Sequence, residues 1–188
     1  MSEPQFDPAF ALKLDFDQGH VTLRGQGQCL VVPKDALLDL LHASGDEAAR
    51  NFGQQLGAEI GRRLVDRFGP GIETASVETF VNHLGGELAL LGLGALAVER
   101  WGRAMVIVIQ GAPTGNTGTS LVSAVVSGAL QRALSRDAMP IELMRSESTL
   151  RLLLVSKAVA HDVQNWLEQQ IPWGSVLTRL NAPRGDAS

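Results

Sequence analysis

Tyrosine is absent from this 188-residue chain, and cysteine occurs once, at Cys29. The first absence removes a common general acid and haem-pocket donor. The second excludes an intramolecular disulfide and any Cys-x-x-Cys pair for zinc or thiol exchange. Cys29 lies in the run Gln28-Cys29-Leu30-Val31-Val32, where a small apolar thiol is expected to be buried and structural. Positive charge is scarce too. A net charge of −4 and a pI near 5.5 argue against nucleic acid as a partner. Arg62, Arg63 and Arg67 cluster, but Glu59 and Asp66 sit among them, the pattern of a solvated helix face. Long apolar runs are also missing. The longest uncharged apolar stretch, residues 88–98, is bounded by Glu87 and Glu99 and is too short to span a bilayer. Residues 1–8 lack the charged-then-apolar order of an export signal, so a cytoplasmic, reducing setting is expected.

Hydrophobic residues make up 45% of the chain and charged residues 19%, a globular composition at a length suited to one core. A single domain is expected, with N-terminal strands in residues 1–35, a core in 36–171 and a C-terminal tail in 172–188. Phe10, Leu12, Leu14 and Phe16 alternate with Ala11, Lys13 and Asp15, and glycine turns separate this run from residues 20–23 and 29–32. These read as short antiparallel strands. Pro33 suits the first turn of a short helix. Ser44-Gly45-Asp46-Glu47 reads as a capping box opening the longest helix, residues 46–68, and Gly69-Pro70-Gly71 closes it. A second long helix is predicted from about residue 76 to the glycines Gly92 and Gly94. Hairpins are predicted over residues 95–110, turning at Gly102, and over 139–155. The arm Ala104-Met105-Val106-Ile107-Val108-Ile109 is apolar on both faces, which predicts a central strand. Residues 111–120 read as a loop, 121–135 as a helix and 158–170 as the last helix. The order predicts an α+β fold, with helices packed on a mostly antiparallel sheet.

Within the longest helix Gly53, Gly57 and Gly61 recur every fourth residue and so share one face. Each costs about 1 kcal/mol against alanine in a helix interior. Such a stripe implies that a second element packs closely there, from the same chain or from a second copy of it, and of the two an intersubunit partner in a homodimer is the expectation.

Signals for chemistry are thin. His83 and Glu87 have the i, i+4 spacing of two metal ligands, yet no third ligand of matching character is near in sequence, so no metal is expected. The loop 111–120 contains no lysine and lacks the glycine spacing of a phosphate loop. Ser123 and Ser127 have no nucleophile elbow around them. His161-Asp162 opens the last helix, where the helix dipole alone suits an acid. Trp166 and Trp173 could line a ligand surface, but core and rim packing is the commoner use of tryptophan and the one expected. Catalytic residues and cofactors are therefore expected to be none.

Three stretches carry a resemblance. Residues 47–68, including Leu56-Gly57-Ala58-Glu59-Ile60-Gly61-Arg62-Arg63-Leu64, form the first, and the hairpin 94–110 forms the second. The third runs from Leu121-Val122-Ser123-Ala124-Val125-Val126-Ser127-Gly128-Ala129-Leu130 through Pro140-Ile141-Glu142-Leu143 to residues 150–155. Together, over residues 36–167, they resemble the 4-vinyl reductase domain family, which shares its fold with small subunits of the TRAPP tethering complex. Cysteines common in that family are replaced here near Thr119 and Arg145, and Ala124 stands where a first glycine is common. Metal, thiol or acylation chemistry that depends on those cysteines does not carry over. The resemblance implies pairing and an interior able to take up a hydrophobic small molecule, with Phe80, Leu84, Met105, Ile107, Leu121 and Val125 as candidate lining. The expected function is a non-enzymatic, dimeric binding module that senses a small hydrophobic ligand or contacts another protein. An enzyme or carrier of tetrapyrrole metabolism is the alternative.

Overall fold

The computed structural model describes residues 12–23, 27–69, 77–113, 115–134 and 138–181. Phe10, the Pro70-Gly71 stop and residues 182–188 lie outside these. A four-stranded antiparallel sheet forms the middle layer. It contains β4 (Ala95–Trp101), β5 (Ala104–Gln110), β6 (Ala138–Arg145) and β7 (Thr149–Ser156) in the order β4-β5-β7-β6. β5 lies between β4 and β7, and its alternation serves two cores. Ile107 and Ile109 point to one face, whereas Val106 and Val108 point to the other, and all four are buried. The two-faced apolar run is thus a central strand.

The first face carries α1 (Lys34–Ser44), α2 (Asp46–Phe68), α3 (Val77–Leu90) and α4 (Gly115–Leu134). α3 packs on β4 and α4 on β6, while α2 lies along α4. The second face carries α5 (Lys157–Glu168) and α6 (Trp173–Asn181). The small sheet of β1 (Leu12–Asp15), β2 (His20–Leu23) and β3 (Gln28–Cys29) pairs within itself and packs little against the body. No helix among the described residues is long and apolar enough to cross a membrane. The α+β class and the antiparallel sheet are as the sequence predicts.

The second helix against the glycine stripe is α4 of the same chain, which corrects the intersubunit expectation. A Cβ at Gly53 would stand 2.7 Å from the Leu121 carbonyl oxygen, and one at Gly61 2.8 Å from that of Ala129. At Gly57 it would overlap the Val125 carbonyl, and at Gly128 of α4 it would overlap the Gln54 carbonyl. The two helices meet backbone to backbone, each supplying glycine where the other presents a carbonyl. No room remains on that face for a helix from another copy.

Other expectations also shift. Ser44 does not cap α2: it is the last residue of α1, and its hydroxyl donates to the Leu40 carbonyl at 2.8 Å. The third strand stops at Cys29, leaving Leu30 and Val31 at 88% and 76% exposure. Cys29 is half-buried, not enclosed. More than half of the expected loop is helical, because α4 begins at Gly115, whose φ of 85° starts it after Pro113. Its first turn is buried through Thr117, Gly118 and Thr119, and tertiary burial outweighs the weak helix propensity there. Residues 173–181 of the expected tail form α6, since Val176 and Leu177 reach the second core.

Candidate functional site

α3 is buried nearly all round. Phe80, Val81, Leu84 and Leu88 belong to the first core, but Thr79, His83 and Glu87 are equally enclosed. Carboxylates and imidazoles enter such an environment only with partners, and α2 supplies them. Arg63 donates from Nε to Glu87 Oε2 at 2.9 Å, with side chains 6% and 4% exposed. Arg67 Nη1 lies 3.1 Å from His83 Nδ1. The His83 ring meets Phe68 edge-on at 4.7 Å between centroids. The four-residue periods of both helices make this possible, because Arg63 and Arg67 share one face of α2, as His83 and Glu87 share one face of α3.

The arrangement leaves one group wanting. Arg63 Nη2 stands 2.7 Å from the same Glu87 oxygen, so the attraction of charge is present. It is not aligned for a hydrogen bond, however, and has no acceptor among the described residues. A buried guanidinium N–H without an acceptor is uncommon and asks for one. Of the arginine cluster, only Arg63 departs from the solvated face that the charge pattern suggests. Arg67 is exposed, and Arg62 pairs with Glu59 at 3.0 Å and Asp66 at 3.2 Å on the surface.

The metal-spaced pair is committed elsewhere, His83 to Arg67 and Glu87 to Arg63. Among the described residues no three His, Cys, Asp or Glu side chains gather as a metal would require. Of the candidate lining residues, Phe80, Leu84, Ile107, Leu121 and Val125 fall in one core, Phe80 and Leu84 on the helix that carries His83 and Glu87 and the others on β5 and α4. Met105 does not join that core: it is half-buried near the start of β5. Sequence reasoning missed Arg63 and Arg67. The available signal was their spacing of four, matching that of His83 and Glu87. Elsewhere, His42 Nδ1 faces Thr117 Oγ1 at 3.3 Å, and His161 Nε2 contacts Asn165 at 3.1 Å. Ser123 and Ser127 line a polar surface cleft with Thr119 and Glu142.

No protein-family model and no curated protein matches this chain. Among solved structures it is similar to the phenol-responsive sensory domain of the transcription activator PoxR, determined with phenol. The TM-score is 0.60 at 12% sequence identity, covering 78% of this chain and 85% of that one. The chain has the fold of a solved sensory domain. At this identity the likeness is one of fold.

Proposed function

We propose that this protein is a non-enzymatic sensory module for a small, mainly apolar molecule carrying one oxygen acceptor. The observation that carries the reading is the buried Arg63 Nη2 without a hydrogen-bond acceptor, next to an apolar core containing Phe80 and Leu84. Ligand sites are mostly apolar with a few placed polar groups, and this part of the interior has that make-up. Support of a second kind comes from the fold, since the similar PoxR domain is phenol-responsive. A single hydroxyl or carbonyl oxygen would accept from Arg63 Nη2, one helical turn from the Arg67–His83 pair. The resemblance to the 4-vinyl reductase domain family is in keeping with an interior that takes up a hydrophobic molecule. Its tetrapyrrole chemistry finds no support among the groups of the site: five of the six candidate lining residues are apolar side chains of one core, and the sixth, Met105, lies outside it.

The test compares phenol with toluene, which match in shape but not in the oxygen. At about a hundredfold excess over its Kd, phenol is expected to stabilise the fold by about 2.7 kcal/mol. For a chain of this size that is a rise in Tm of roughly 5–10 °C. Toluene should give clearly less. Equal shifts for the two, or no shift for either, would contradict the reading.

A further inference from the structure

On the opposite face of the sheet an open cleft of about 1010 Å³ runs between α5, α6 and the adjacent ends of β5 and β7. Its floor and walls are apolar where Ala104, Leu153, Val155, Val159, Trp166 and Leu180 line it. Three charged side chains also line it, Arg103, Arg179 and Asp162. Arg179 is held over the Trp166 ring, with its Cζ 5.3 Å from the centroid. That contact leaves the fork of N–H donors available. The backbone N–H of Arg103 donates to Asn181 Oδ1 at 2.8 Å, which ties the β4–β5 turn to the end of α6. Neither guanidinium forms an ion pair with a described carboxylate, and Asp162 pairs with neither.

From this geometry we infer a second ligand site, for an amphipathic monoanion: a carboxylate with an alkyl or aryl tail. Two guanidinium forks, that of Arg179 held over Trp166, suit a planar carboxylate, which they can bind through paired N–H donors. The three ionic groups sum to one positive charge, which a single negative charge balances. The apolar floor takes the tail, and Trp166 supplies a flat face beside the head group. The site lies across the sheet from the Arg63–Glu87 cluster and stands whether or not that interior takes a ligand.

The probe is decanoate, with decanol as its neutral counterpart, titrated into the full chain by calorimetry and followed by tryptophan fluorescence. Decanoate should bind at one site, at least tenfold more tightly than decanol. Arg103→Ala and Arg179→Ala should each weaken it about tenfold or more, as expected for loss of a charged hydrogen-bonding partner. Asp162→Asn should tighten it, a gain that damage to the fold cannot produce. No binding by the wild type would overturn the site. Equal affinity for the two probes would do the same, as would an Asp162→Asn variant that binds no better than the wild type.

Discussion

At the residue scale, the decisive group is Glu87. Its carboxylate is 4% exposed, and its charge is balanced by Arg63 alone among the contacts resolved around it. Removing one member of a buried pair strands the other, at a cost of about 3–5 kcal/mol, whereas replacing both with apolar residues is often neutral or stabilising. Glu87→Leu is therefore expected to lower stability by that amount in chemical denaturation. The Arg63→Met/Glu87→Leu double variant should recover most or all of the loss. A double variant as unstable as the single would mean that the pair stabilises the fold beyond its own neutralisation. The i, i+4 spacing of His83 and Glu87 is legible in the sequence, but what they face is not. Arg63 looks like its neighbour Arg62 in a charge pattern. Only the packing of α2 on α3 separates a buried guanidinium from a solvated one.

At the scale of elements, α2 and α4 act as one unit. Their contact surfaces are complementary in backbone, and this makes the pair intolerant of a single methyl group. Gly57→Ala gains about 1 kcal/mol of helix propensity. Against that stands the Val125 carbonyl in the path of the new Cβ. It is main chain and cannot rotate aside as a side chain would, so the loss falls at or above the upper end of the usual overpacking range of about 1–3 kcal/mol. A net fall in Tm of roughly 4–8 °C is expected, at about 2–4 °C per kcal/mol. The sedimenting mass should not change, since the contact is within one chain. A smaller species instead would show that the stripe joins subunits. The glycine spacing reveals that something comes close but carries no address for it, which is why the partner helix was not legible. Hairpins were legible because Gly102 adopts φ 66° and marks its turn in sequence. The start of α4 and the whole of α6 were not, because glycine, threonine and proline there resemble loop and tail. Burial of Thr117, Thr119, Val176 and Leu177 overrides that composition.

At the scale of the molecule, one antiparallel sheet separates two apolar cores of different kinds. The α1–α4 side is closed, and within it α2 and α3 enclose a polar cluster. On the α5–α6 side the core opens into a cleft with free guanidinium groups at its wall. The central claim is that the closed side holds a small oxygen-bearing ligand through Arg63. Its most direct test is calorimetric titration of phenol into the wild type and into the Arg63→Met/Glu87→Leu double variant. The double variant is expected to stay folded without the polar cluster. The wild type should bind one phenol per chain, and the double variant should bind at least tenfold more weakly, as loss of a hydrogen bond to a charged group predicts. Undiminished phenol binding by a folded double variant would contradict the claim, as would a wild type that binds none.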